Sequence, residues 1–323
     1  MAAVNQFSHS FEFVGRDLVR PECVLTKANG EIYVSDFRGG VTCIDTMGKQ
    51  TLYSGESTDI EDGLLQTNGF AIQNDGSFLV AHLGANSGGV YRLSRDKQIT
   101  PFLQNIDGID LPPTNFVHID HQGRIWITVS TRMRPRSRGY SPLCKDGFIV
   151  LVDKGKASVV ADNLGYTNEC WVSPDGTTLY ANATFSRELF KWTITPTGAL
   201  VNKQLFTTFS EGTFPDGLVG DTLGNLWVTS IVSNRVICVF PDGRSQIFLE
   251  ESNEEHVQKA EKAYLDYAMG REHLDNNPAA LKNISSLSFG GKNCDDMYLG
   301  CLLDQRIVKI PNTGFVGHKP VHW

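Results

Sequence analysis

The chain has 323 residues, 41% of them hydrophobic and 20% charged, which is ample for a packed core in an ordinary globular protein. The net charge of −7 argues against a nucleic-acid or anionic-membrane surface, and the one basic cluster, Arg132, Arg134, Arg136 and Arg138, is too short to reverse that. No apolar run approaches membrane-spanning length and residues 1–6 carry no apolar signal core, so a cytoplasmic location is expected.

The seven cysteines are scattered and none forms a C-x-x-C pair, which points to reduced thiols rather than to a zinc site or a disulfide framework. The sequons at Asn182 and Asn283 would matter only in a secreted chain.

Six segments repeat one pattern in chain order: an apolar stretch, a turn with glycine, then a second apolar or aromatic strand. They are VLTKANGEIYVSD from Val24, FAIQNDGSFLVAH from Phe70, VHIDHQGRIWITVS from Val117, CWVSPDGTTLYAN from Cys170, LVGDTLGNLWVTS from Leu218 and LSFGGKNCDDMYLGC from Leu287. Alternating apolar residues around Asn-Gly, Asp-Gly and Gln-Gly turns signal strand hairpins, and most repeats run on into a third strand such as GGVYRL or RVICVF. Repeats of this kind at intervals of about 40–50 residues mean propeller blades. The predicted fold is therefore all-β, a six-bladed β-propeller occupying residues 1–323 as a single domain. Strands near 11–14 and 305–310 are expected to pair in one blade and close the ring, removing an exposed edge. A helical insertion at about 251–282 interrupts the pattern between blades five and six. There Ser252 and Glu255 read as a capping box ahead of a helix over 252–269, either a surface helix or a lid over the channel.

Counting back eight residues from the turn glycine of each repeat gives Glu22, Asn68, Asn115, Asn168, Asp216 and Asn283. Each stands just before an innermost strand, so the six oxygen-bearing side chains should converge on the central channel. Carboxylates and amides crowded in a narrow channel repel and lose hydration unless something satisfies them, and a divalent cation does so. With no His or Cys in the set, Ca²⁺ is favoured, with Mg²⁺ and Mn²⁺ close behind and Fe²⁺ or Zn²⁺ as further alternatives. The alternative is that Asn68-Gly69 and Asp216-Gly217 are ordinary turn dipeptides.

Where the second strand of each blade returns to the same face lie Asp36, His82, Ser130, Asn182 and Ser230. His82 is the one imidazole among them and a candidate for substrate contact. The long loop 131–146 of blade three, carrying Arg132, Arg134, Tyr140 and Cys144, should wall the pocket.

The motifs RPECV (20–24), PTNFVHIDHQGRIWIT (113–128), YTNECWVSPDGTTLYAN (166–182) and FPDGLVGDTLGNLWVTS (214–230) resemble the senescence marker protein, gluconolactonase and luciferin-regenerating enzyme family over nearly the whole chain. The resemblance implies a single divalent cation with Glu22, Asn168 and Asp216 as direct ligands and Asn115 beside it, touching substrate. It makes Asn68 and Asn283 the counterparts of extra channel amides in related calcium propellers. Many sugar lactonases of the family have Arg two residues before the third-blade Asn, Asp directly after it, and Gly after the fourth-blade Asn. Here those positions hold Pro113, Phe116 and Glu169. A less polar lactone, or a carboxylated one held by Arg132 or Arg134, is then expected as substrate.

The expected activity is metal-dependent hydrolysis of a small lactone by carbonyl polarisation and water attack, with Asp216 the first candidate base, His82 the second and Glu169 the third. Aryl-ester or phosphotriester hydrolysis and a non-catalytic calcium-binding propeller are the alternatives. The only partner expected is a small-molecule substrate, with homo-oligomerisation left open.

Overall fold

The computed structural model of the protein describes residues 10–60 and 63–323. Residues 1–6, expected to lack a signal sequence, lie outside the described residues. Six four-stranded antiparallel sheets follow one another around the ring. Their innermost strands are Val24–Thr26, Thr67–Ile72, Phe116–Ile119, Thr167–Val172, Thr213–Gly220 and Ile284–Gly290. The ring closes as the sequence predicts. Glu12–Val14 pairs antiparallel with Ile307–Ile310 and becomes the outermost strand of blade six, so the first strand of the described residues secures the last blade.

Each blade starts with a hairpin whose turn is dictated by local chemistry. In blade five the Asp221 carboxylate accepts hydrogen bonds from the Leu223 and Asn225 N–H groups, both 2.9 Å, and from the indole Nε1 of Trp227 at 2.9 Å. Asp120 plays the same part in blade three, toward Gln122, Arg124 and Trp126. Each aspartate thus fixes the turn and locks a tryptophan of the second strand into the space between sheets, where Trp126 and Trp227 are fully buried.

The innermost strands are not regular. Blades two, four, five and six each shift register by an extra residue, between Thr67 and Phe70, Thr167 and Cys170, Pro215 and Leu218, and Ile284 and Leu287. A bulge leaves one residue out of the ladder and re-aims its side chain. Asn68, Asn168 and Asp216 lie within these bulges.

The dipeptides Asn68-Gly69 and Asp216-Gly217 are therefore parts of channel strands, not turns. Their glycines are required by close approach: a Cβ on Gly69 would lie 2.3 Å from the Phe116 ring, and one on Gly217 would lie 2.5 Å from the Ser285 carbonyl oxygen.

Between blades five and six runs one α-helix, Glu254–Leu265. Its cap is Asn253, whose side chain accepts from His256 N–H at 2.9 Å, and not the predicted Ser252, which instead bonds Glu250. Asparagine one residue later caps equally well, which the spacing from Ser252 to Glu255 concealed. The helix is docked by Glu261, which accepts both guanidinium nitrogens of Arg187 and the Gly212 N–H. No helix of the described residues is long and apolar enough to cross a membrane. All seven cysteines are free and buried, as the scatter of their positions implied.

Candidate active site

Glu22, Asn115, Asn168 and Asp216 line one pocket at the channel mouth, a space of about 640 Å³ with its opening included. Their exposures are 7%, 3%, 5% and 4%, so bulk water cannot satisfy them. Second-strand residues hold them in place. The amide nitrogen of Asn115 donates to Ser130 Oγ at 3.0 Å, and that of Asn168 donates to Thr184 Oγ1 at 3.0 Å. Asn182 donates through Nδ2 to the carbonyls of Asp216 and Gly217, at 3.1 and 3.0 Å, fixing the bulge from behind. Ser230 accepts the Phe214 N–H at 2.8 Å. The residues that the sequence places at the ends of the second strands thus act mainly as supports for the first set.

With each amide nitrogen tied back, its oxygen is left over. Asn115 Oδ1 and Asn168 Oδ1 are buried and accept no hydrogen bond, and Glu22 Oε2 touches Arg20 Nη1 as an ion pair without an aligned hydrogen bond. Buried acceptors are rarely left this way, and each costs about 1–3 kcal/mol. Burial, with Glu22 and then Glu169 nearby, pushes the Asp216 carboxyl well above the ordinary carboxylate range. Orphaned oxygens beside mutually repelling carboxylates are what a hard cation would relieve. Among the described residues no three His, Cys, Asp or Glu side chains cluster, so the donor set is a mixed one of acids and amides. Those residues fit an oxygen-loving divalent ion.

Several predicted residues are elsewhere. Asn283 is consumed by the loop that precedes blade six: its Oδ1 accepts from Val232 N–H at 3.1 Å and Asn277 Nδ2 at 2.6 Å, and its own Nδ2 donates to Leu274 O. The offset count fails in this blade because Cys294, at φ 60°, holds the place of the turn glycine. Its N–H donates to Gly291 O just as Gly76 N–H donates to Gln73 O. Counting from Cys294 reaches Ser286 instead. Asn68 is buried beside the pocket without lining it: its Oδ1 accepts Arg20 Nη1 at 2.8 Å and its Nδ2 donates to Asn115 O at 2.9 Å.

His82 is buried away from this pocket, its Nδ1 accepting the Gln66 N–H at 3.1 Å, and it acts as a strand-end anchor. Glu169 points down the channel toward the opposite mouth, where its Oε2 accepts Leu218 N–H and burial lifts its carboxyl to about 8. Arg132 turns outward to an ion pair with Asp162 over the Phe148 ring, and Arg134 is exposed.

In their place stand Tyr140, from the loop expected to wall the pocket, and residues with no pocket role expected from sequence. Arg20, two positions before Glu22, pairs with it and lies over the Phe37 ring. Arg136, from the 3-10 turn Arg136–Gly139, reaches the pocket and donates to Tyr166 OH at 2.9 Å. Tyr140, Tyr166 and Phe185 form an aromatic wall with ring centres 5.0–5.5 Å apart. The helix Glu254–Leu265 does not line the pocket; it backs the wall, Tyr264 OH donating to Phe185 O, and the residues after it, Arg271, Leu274 and Asp275, form part of the rim.

Residues 21–249 match the model of the SMP-30/Gluconolactonase/LRE-like region. The chain belongs to that family. The match spans Glu22, Asn115, Arg136, Asn168 and Asp216 and stops before the helical insertion and blade six.

Among solved structures the chain is similar to a luciferin-regenerating enzyme, at 15% identity over 97% of this chain and 99% of that one, with a TM-score of 0.71. It is similar also to a gluconolactonase from Xanthomonas campestris, at 19% identity over 92% and 87% of the two chains and a TM-score of 0.66. A calcium-binding protein from Agrobacterium tumefaciens, regucalcin, matches at 16% identity over 96% and 98% with a TM-score of 0.68. At these identities the likeness to each of these family structures is one of fold.

Proposed function

We propose that this protein is a metal-dependent lactonase, a hydrolase that opens a small cyclic ester at the channel mouth. The observation that carries the proposal is the pair of buried, unsatisfied amide oxygens, Asn115 Oδ1 and Asn168 Oδ1, lining one pocket with Glu22 and Asp216. Family membership supports the lactonase class, since a gluconolactonase is among the similar folds. Glu22, Asn168 and Asp216 would hold the ion, with Asn115 beside it and Ca²⁺ the first expectation. When bound there, the ion would supply Lewis-acid polarisation of the substrate carbonyl.

The chain's own residues account for the remaining steps. Tyr140, Tyr166 and Phe185 pack the apolar face of the ring and keep bulk water from it. A single water attacks the carbonyl carbon, and the Asp216 carboxylate accepts its proton. As the ring C–O bond breaks, Asp216 returns that proton to the departing ring oxygen. The product is an open-chain hydroxy carboxylic acid, so one water is consumed and no other reactant is needed.

The test is hydrolysis of a panel of aliphatic, sugar and aromatic lactones and aryl esters before and after EDTA treatment. Turnover of at least one lactone, lost on chelation and restored by CaCl₂, is the expected outcome. Activity indifferent to EDTA would overturn metal dependence, preference for aryl esters would favour the esterase alternative, and inertness to every substrate despite metal binding would favour a calcium-binding propeller.

A further inference from the structure

Arg136 is a half-buried arginine with neither a carboxylate in contact nor a stack of rings beneath it, unlike Arg95, which bonds Gly76 O and Tyr33 OH and lies over Tyr33, Tyr53 and Phe78. Arg20, Arg124, Arg187 and Arg235 each face a carboxylate, namely Glu22, Asp120, Glu261 and Glu250. Among the described residues no carboxylate lies in ion-pair contact with Arg136. Its one hydrogen bond to protein is the donation from Nη1 to Tyr166 OH, and it opens onto the pocket that holds Glu22 and Asp216. A half-buried guanidinium with no carboxylate in contact keeps most of its donors unpaired, which suits it to an anionic ligand. The planar group carries five N–H donors, so its remaining edge can grip both oxygens of a carboxylate.

Charge balance points the same way. Arg20 and Arg136 offset Glu22 and Asp216, so a bound dication would leave the pocket two charges positive within a chain of net charge −7. The rim pair of Arg271 and Asp275 adds nothing to that balance, because the two face each other.

We infer that Arg136 is the anion-recognition residue of this site and that the preferred substrates are lactones bearing a carboxylate on the ring or on a short arm. The inference rests on the lactonase reading. Arg136 Nη and Nε groups hold the carboxylate, the aromatic wall holds the ring, and the ester carbonyl is directed toward Asp216. Tyr166 is a positioning residue that keeps the guanidinium from swinging out of the pocket. The carboxylated substrate expected from sequence is retained, with its anchor moved from Arg132 or Arg134 to Arg136.

A matched pair tests this: γ-butyrolactone and 5-oxotetrahydrofuran-2-carboxylate, which differ by one carboxylate. In wild-type protein kcat/KM for the carboxylated lactone exceeds that for the neutral one by at least about 30-fold, a modest figure for a charge-assisted bidentate contact. Arg136→Met narrows that ratio to within about threefold, mainly through KM, and Arg136→Lys falls between. Arg136→Gln keeps a donor for Tyr166 and guards against a folding defect; it must narrow the ratio as well. Binding is read separately, by calorimetry with tetrahydrofuran-2-carboxylate, which cannot be hydrolysed. It binds wild-type at least about tenfold more tightly than Arg136→Met.

If neither lactone is opened but this binding difference holds, the lactonase reading falls and the anion site stands. If both lactones are opened equally well and the ratio is the same in Arg136→Met, the anion site falls and the lactonase reading stands.

Discussion

Asp216→Ala and Glu22→Ala are each expected to lower kcat/KM for lactone hydrolysis by at least about 10³-fold and to lose stoichiometric divalent metal on dialysis. Each removes half of the negative charge available to a cation in the pocket. One carboxylate with the neutral amide oxygens of Asn115 and Asn168 is then too weak a donor set for a strongly hydrated ion. The isosteric Asp216→Asn variant sharpens the test. Asp216 is 4% exposed and is repelled by Glu22 and Glu169, so its charge burdens the metal-free fold. Metal-free Asp216→Asn is therefore expected to melt higher than metal-free wild type while remaining inactive. A variant that is both inactive and less stable would mean that Asp216 is a structural acid and not a ligand.

The largest stability loss is expected at Asp221, far from the chemistry. Its carboxylate is wholly buried and accepts four hydrogen bonds: the N–H groups of Leu223 and Asn225, the Asn225 amide at 2.8 Å and the Trp227 indole. Asp221→Ala strands these donors in the interior beneath the Trp227 cluster with Phe248, Phe289 and Phe315. A loss of about 3 kcal/mol or more is expected from urea unfolding, at the upper end for single substitutions. Asp221→Asn retains part of the acceptor set and should lose less. A change below about 1 kcal/mol for the alanine variant would show that water or a shifted turn satisfies the same donors.

Much of the architecture could be read from sequence because a propeller repeats its local rules. Asp120 and Asp221 stand at the same offset before Trp126 and Trp227, and the glycines Gly76, Gly123, Gly176 and Gly224 mark the same turn. The closing strand followed from edge chemistry. Four of the channel oxygens, Glu22, Asn115, Asn168 and Asp216, were found by counting because their blades share one turn length.

Where counting failed, a local substitution broke the register. Cys294 adopts the left-handed conformation that glycine holds in the other blades, and the nearby Gly291, also at positive φ, drew the count to Asn283. The bulges were invisible, since Asn-Gly and Asp-Gly read as turns until the packing of Phe116 and Ser285 against those glycines is known.

Side-chain direction within the run Arg132, Arg134, Arg136 and Arg138 could not be read either. Within this loop the 3-10 turn Arg136–Gly139 carries Arg136 to the pocket, while Arg132, ahead of the turn, pairs with Asp162. His82 stands out in the sequence as an imidazole, but its Nδ1 accepts the Gln66 N–H at the end of a strand, a contact that only the tertiary structure makes.

The most direct measurement is anomalous diffraction from crystals soaked in MnCl₂ and, separately, CaCl₂. One peak on the propeller axis, about 2.1–2.6 Å from side-chain oxygens of Glu22, Asn168 and Asp216, is the result expected. Crystals with no peak there, and ordered water donating to Asn115 Oδ1 and Asn168 Oδ1 instead, would contradict it.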